Sequence, residues 1–386
     1  MSESYDWLII GGGPAAIAAA RGYRDAGGEG SVAIVTDEHR MPYRRPPLTK
    51  QLLRGEMGED ELPLESDDWL RQRRISLISG RAVSLDADRR EVVISGGRAL
   101  EYRDALLATG AEPTRIAVPG ADHPGVRVIR ALDHVRELIA RLGDDEPVVV
   151  IGSGFIGCEI AASLRRRGHR VTLISDEPEP NTARLGQEAA RQIHSWLDEE
   201  SVDVRLGAEV ESIEPGFTVT AGEARAQAPV VVMAGGVAPR AELAFSAGLE
   251  LANGAVPVDA RQRTAKPGLY AAGDVAFAEN ATAGRQLRVE HWGDALGQGE
   301  VAGRNAAGAD AVWDAVPGFW STIGDHVLKY AAWGDGFDDS RFEDYGDGAF
   351  AAWYGLEGRI VGALTHERDE DYERGSELIA RGAPWR

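Results

Sequence analysis

Two glycine turns, each set between a short apolar run and a helical stretch, constrain this chain more than any other feature. The first reads Gly11-x-Gly13-x-x-Ala16 after the run Tyr5 to Ile10, and the second reads Gly152-x-Gly154-x-x-Gly157 after Val148 to Ile151. The first glycine of such a turn permits a sharp bend, the second lets the backbone approach a pyrophosphate, and a small third residue lets helix pack on strand. The helix that follows presents free N–H groups and its positive dipole end to phosphate. A second strand follows each helix, at Val32 to Val35 and at Val171 to Ile174, and acids close each unit: Asp37 and Glu38, then Asp176 and Glu177. A single turn of this kind can arise merely to start a helix. Two of them, each between a strand and a helix, predict two dinucleotide-binding units in an α/β chain. The acids Asp37 or Glu38 would hydrogen-bond an adenosine ribose.

Composition narrows the partners. The 386 residues carry 42 Lys+Arg against 62 Asp+Glu, a net charge of −20 that repels polyphosphate and argues against nucleic acid. No apolar run approaches the roughly 20 residues that span a bilayer, and the acidic start Ser2, Glu3, Ser4 does not read as a signal peptide. We expect a cytoplasmic protein with no membrane partner. The single cysteine, Cys158, excludes an internal disulfide, a Cys-x-x-Cys pair and an iron–sulfur site. Any redox chemistry must therefore use a borrowed cofactor. Only three cations, Lys50, Lys266 and Lys329, are lysines; codon bias explains the excess of arginine most simply, but a surviving lysine can mark a place where a compact ammonium is needed.

The remaining chain divides around the two turns. The run Ala105 to Leu107 leads into Ala108, Thr109 and Gly110, Val230 to Met233 into Ala234, Gly235 and Gly236, and Leu269 to Ala272 into Gly273 and Asp274. From about Ala309 the sequence is richer in aromatics and charge. We expect two Rossmann-like units and, from about residue 309, a C-terminal α+β domain.

The segment Pro42, Tyr43, Arg44, Arg45, Pro46, Pro47, Leu48, Thr49, Lys50 resembles the Pro-Tyr-x-Arg-Pro-Pro-Leu-Ser-Lys motif of FAD-dependent ferredoxin and rubredoxin reductases of the putidaredoxin-reductase type and of apoptosis-inducing factors. Ala108-Thr109-Gly110, Gly273-Asp274, Val289-Glu290-His291-Trp292 and Phe319-Trp320-Ser321 resemble further motifs in the family's order. The resemblance implies a glutathione-reductase-like architecture, with residues 1–112 and 238–308 as a discontinuous first domain, 113–237 as an inserted second domain, and 309–386 as the third. It also implies FAD contacts from Gly11, Gly13, Pro14, Ala15, Asp37, Glu38, Arg45, Lys50, Val83, Thr109, Gly110, Arg130, Gly273, Asp274, Glu290, His291, Trp292 and Trp320. Gly152, Gly154, Ile156, Glu159 and Gly236 match the nicotinamide-nucleotide side, and Phe155 and the acids Asp176 and Glu177 are expected beside them. Ala16, Thr49 and Cys158 depart from the usual residues, and the terminal domain is short.

The activity so implied is hydride transfer from NADH to FAD, then single-electron transfer to a small [2Fe–2S] ferredoxin or a rubredoxin that serves an oxygenase. The alternatives are an oxidase or diaphorase like the apoptosis-inducing factors, and a redox sensor whose NADH–flavin complex controls dimerisation. Acids with no arginine before Arg184 would repel a 2′-phosphate, favouring NADH over NADPH, although Ser175 stands where the discriminating acid usually sits. Lys50 and Glu159 correspond to a pair beside the flavin. A lysine there favours the reduced, anionic ring, while hydride transfer itself needs stacking rather than an acid or base. Trp292 and Trp320 either wall the flavin or fill a core. We expect no metal, because no Cys/His cluster accompanies His291. Cys158 begins a helix whose dipole would lower its pKa, but disulfide reductases of the wider superfamily place their cysteines in the first module, where this chain has Leu48, Thr49 and Lys50. The arginine clusters at 71–74 and 165–167 read as solvated helix faces. Residues 311–386 hold 7 cations and 15 anions, so an acidic carrier would dock on the dinucleotide units rather than the tail.

Overall fold

A computed structural model describes residues 3–214 and 216–386. Its first sheet is built around the parallel strands Ile75–Ser79, Val32–Thr36, Glu3–Ile10 and Arg98–Leu107, in that spatial order, with Leu269–Ala271 beside the last. Trp7 to Ile10 and Val32 to Val35 are buried throughout, as strands covered on both faces must be. The antiparallel strands Glu91–Ile94 and Ala82–Asp86 extend the edge. The second sheet is wholly parallel, in the order Asp203–Arg205, Arg170–Ile174, Pro147–Ile151, Val230–Met233, Val126–Arg127. Both are the doubly wound α/β arrangement that the glycine turns predict.

Close packing explains the small residues. Helix Pro14–Asp25 lies against helix Trp292–Ala306, and a Cβ at Gly299 or Gly303 would stand 2.2 Å from Ala15 O or 2.0 Å from Ala19 O. The two helices touch through backbone, which only alanine and glycine allow. In the second unit a Cβ at Gly157 would stand 1.9 Å from Gly152 O. The third glycine is therefore obligatory there, whereas the first turn accommodates the buried Ala16.

The chain passes between the two units twice, at Ala111–Pro113 and Val237–Pro239, and these segments pair antiparallel with each other. The last sheet has five antiparallel strands in the order Gly318–Ile323, His326–Ala332, Arg359–His366, Ala349–Leu356, Asp339–Gly346, with helix Asp369–Ala380 on one face. Its other face shares a core with the second unit and with the loop near Lys50: Phe350, Tyr354 and Leu364 cluster with Leu185, Ile193, Trp196, Leu48 and Leu53. Residues 309–317, expected to open the terminal domain, lie before this sheet, and Trp313 among them is buried with the first sheet, its backbone bonded to Ala260 and Ala281. Among the described residues no helix is long and apolar enough to cross a membrane.

Candidate active site

A cleft of about 1510 Å³ runs between the two glycine turns. This exceeds the roughly 300–1,000 Å³ of an ordinary small-molecule pocket and suits two extended dinucleotides. Gly13 and Gly154 are the N-cap residues of the helices Pro14–Asp25 and Phe155–Arg166; neither helix start is capped by a side chain, and a Cβ at either glycine would meet nothing within 4 Å. Each helix thus opens with unpaired N–H groups facing a hollow, the donor set a pyrophosphate needs. Gly11 (φ +126°) shapes the first turn from beneath: its Cβ would stand 2.0 Å from Ala108 O. Gly152 (φ +102°) does the same in the second turn and does not itself line the cleft.

The end of the strand Val32–Thr36 delivers both expected acids to the cleft. Asp37 is exposed, with Arg240 at 4.0 Å. Glu38 is held on both oxygens: the Tyr43 hydroxyl donates to Oε2 at 2.6 Å, and Arg45 reaches Oε1 at 2.9 Å. Tyr43 in turn accepts from Leu132 N at 2.9 Å, and burial pushes its phenol up to about 12. Arg45 also donates to Arg130 O (2.6 Å), and Arg130 pairs with Asp274 at 2.6 Å. A single chain of polar contacts therefore fixes Glu38, Arg45, Arg130 and Asp274 along one wall.

On the opposite side the two candidate acids separate. Glu177 lines the cleft, and its Oε2 is buried without a hydrogen-bond partner. Asp176 is exposed and outside the cleft, so the expectation that it joins the site is corrected. Ser175 is buried, its hydroxyl bonded to Ser153 at 2.8 Å, which braces the turn instead of presenting a charge. An orphaned carboxylate oxygen is costly unless a ligand hydroxyl satisfies it, and Glu177 fits an adenosine ribose on those grounds.

Between the turns lie Lys50 and Glu159, 6% and 2% exposed, with Nζ 2.8 Å from Oε2. Oε2 also accepts from the Thr49 hydroxyl at 2.5 Å, while Oε1 accepts from Ser321 Oγ at 2.7 Å and Thr322 N at 3.4 Å. The Thr49 carbonyl accepts from Ser163 Oγ at 2.7 Å. One carboxylate thereby joins the Pro-rich loop, the second unit's helix and the first strand of the terminal sheet. Such saturation by donors offsets the cost of burying the carboxylate and its lysine partner.

The apolar wall matches a planar ring. Val83, Ile156 and Trp320 are 56%, 48% and 44% exposed, and all three face the cleft. Trp292 lines it too, so neither tryptophan belongs to a closed core. Pro14, Ala15, Thr109, Gly110, Phe155, Gly236, Gly273, Glu290 and His291 complete the lining among the expected residues. Gly273 N donates to Gln298 Oε1 at 2.8 Å, and His291 Nδ1 lies 3.1 Å from Asp294 Oδ2, which also accepts from Gly318 N. His291 is therefore tied to its own helix start and to the terminal sheet, and among the described residues no metal-binding cluster exists.

A match to the pyridine nucleotide-disulphide oxidoreductase family spans residues 5–299. The chain belongs to that family. It is 32% identical over 329 residues to a rubredoxin-NAD(+) reductase of Pseudomonas putida, covering 83% of this chain and 85% of the relative. It is 31% identical to the rhodocoxin reductase of Rhodococcus erythropolis, covering 98% and 90%. Among solved structures, the ferredoxin reductase for the CYP199A2 system of Rhodopseudomonas palustris superposes with a TM-score of 0.91 at 30% identity, covering 98% of this chain and 96% of that one. A covalent putidaredoxin reductase–putidaredoxin complex gives 0.92 at 27% identity, covering 98% and 94%.

The family's name does not extend to this chain's thiol. Cys158 is fully buried and donates to Ser153 O at 3.3 Å, and burial, reinforced by Glu159 and Glu177, pushes its pKa up. The expected lowering by the helix dipole is corrected, because desolvation outweighs the dipole in a site that excludes water. Arg71 and Arg74 are exposed, as expected of a solvated face, whereas the cluster at 165–167 is engaged by neighbours. Arg166 pairs with Glu200 and Asp325, Arg165 bonds Glu200 O and His169 O, and Arg167 bonds Leu53 O. Sequence reasoning missed Thr49, Ser321 and Asn181 as site members. Thr49 stood inside the quoted motif and Ser321 at the end of another, whereas nothing in the sequence marked Asn181.

Proposed function

We propose that the chain is an NADH-dependent FAD oxidoreductase that passes electrons singly to a small [2Fe–2S] ferredoxin or a rubredoxin. The observation that carries this reading is the buried Lys50–Glu159 pair between two uncapped helix N-termini on one cleft. When bound, FAD supplies the two-electron to one-electron conversion that no group of this chain can perform. The first unit, residues 1–112 and 238–308, would hold it through Gly13, Glu38, Arg45, Lys50, Arg130 and Asp274. The second, residues 113–237, would hold NADH through Gly154, Ile156 and Glu177, with Glu177 rejecting a 2′-phosphate by charge. Residues 318–386 line the cleft with Trp320 and fasten Glu159 through Ser321. Lys50 favours accumulation of negative charge beside it, and the exposed apolar faces of Val83, Ile156 and Trp320 would pack on the bound rings. The names of the relatives support a small iron–sulfur protein as acceptor.

Stopped-flow mixing of the flavin-loaded protein with NADH and NADPH, followed by turnover with [2Fe–2S] ferredoxin or rubredoxin, tests the reading. NADH should bleach the flavin faster than NADPH, and carrier should raise turnover. Bleaching that no carrier accelerates, with electrons going to oxygen or quinone, would assign an oxidase instead.

A further inference from the structure

We infer that Tyr354, a terminal-domain residue outside the cleft, is a positioning residue for nicotinamide dinucleotide binding, holding the turn 181–185 through the Leu185 carbonyl. The inference rests on the reading of the second unit as the NADH site. Helix Thr182–Glu199 is broken at Gly186, whose φ of 75° and ψ of 175° interrupt the helical hydrogen-bond ladder. The residues ahead of the break, Asn181, Ala183 and Arg184, line the cleft. At one end the turn is fastened to the second glycine turn: Asn181 is buried in the left-handed region (φ 61°), and its side-chain amide donates to Ser153 O at 3.0 Å. At the other end the Leu185 carbonyl accepts from the Tyr354 hydroxyl at 2.9 Å.

A carbonyl beside a break in the ladder requires an outside partner when buried, and Tyr354 is 1% exposed. Its ring is fixed by Phe337 at 4.9 Å and Tyr330 at 5.9 Å between centroids. Phe337 also covers the break directly, since a Cβ at Gly186 would stand 3.4 Å from its Cζ. The terminal domain therefore grips the turn with a hydroxyl and a ring, although Tyr354 and Phe337 do not line the cleft.

Tyr354→Phe removes the hydroxyl and keeps the packing. Titration of NAD+ into the oxidised, flavin-loaded protein should show a Kd raised about 5- to 10-fold, as expected for loss of one buried hydrogen bond. NADH:ferricyanide turnover at saturating NADH should stay within twofold and the flavin potential should not move, so KM rises while kcat holds. Hydrogen exchange of amides 182–188 should quicken. Phe337→Leu should shift Kd and exchange in the same direction. Unchanged Kd and exchange in both variants would overturn the inference. If the unaltered protein fails to bind NAD+, the NADH reading falls; the exchange arm still decides whether Tyr354 tethers the turn, and a tether without NAD+ binding would overturn the inference as well.

Discussion

Replacing Lys50 by methionine tests the central pair most directly. The substitution keeps the length of the side chain and removes the ammonium, leaving Glu159, 2% exposed, with two hydroxyls and one long amide contact. Removing one partner of a buried ion pair costs about 3–5 kcal/mol, most of it the stranded charge. For 386 residues the entropy of unfolding is about 0.8 kcal/mol/K, so the midpoint should fall about 4–6 °C. Calorimetry of the flavin-loaded protein at pH 7 measures this. The loss should be nearly independent of salt, because the pair is shielded from mobile ions. The double variant Lys50→Met with Glu159→Gln removes the stranded charge and should lie above Lys50→Met alone, giving a coupling of about 2–3 kcal/mol in a double-mutant cycle. The flavin midpoint potential should fall in Lys50→Met, since a cation that favours the reduced ring is gone. A midpoint within 1 °C of the parent, or strictly additive single effects, would refute the argument that this carboxylate depends on its lysine.

Three other outcomes are expected. Glu177→Ser should lower the ratio of kcat/KM for NADH to that for NADPH by about 10- to 100-fold, the worth of one charged hydrogen bond, whereas Asp176→Ser, at an exposed position outside the cleft, should leave it unchanged. Tyr43 is held neutral by burial up to about 12, above the 10 of a free phenol. Its folded pKa is raised, so its contribution is intact below pH 10 and lost between about 10 and 12 as the unfolded phenol ionises first; stability measured by urea titration should decline across that window in the parent and more gently in Tyr43→Phe. Cys158 should resist a disulfide-exchange reagent at pH 8 until the protein is unfolded, and Cys158→Ala should reduce flavin with NADH at the parent rate.

What was legible in the sequence is what backbone geometry dictates. Gly11, Gly152 and Gly157 could be read because a turn beneath a phosphate admits no other residue, and at each a Cβ would collide with backbone in the fold. The burial of Lys50 was legible only through its motif. Asp176 and Glu177 could not be told apart, because both follow the same strand and their directions depend on how the chain leaves it: Ser175 turns inward to Ser153, Asp176 outward, and Glu177 back to the cleft. The dipole argument for Cys158 was sound locally and failed because burial is a tertiary property, set by strands and helices far along the chain. The same holds for the hydroxyls. Ser321 lies 162 residues from Glu159 and Tyr354 169 from Leu185. No periodicity or spacing encodes such contacts, yet they attach the terminal domain to the residues on which the proposed chemistry depends. That domain therefore acts on both halves of the site. Through Ser321 it fastens the carboxylate that pairs with Lys50, and through Tyr354 it holds the turn beside the second helix start, so Ser321→Ala should disturb flavin potential where Tyr354→Phe disturbs nucleotide affinity. If both variants altered the same quantity, the domain would be acting as a single rigid clamp, and the separate assignments would be wrong.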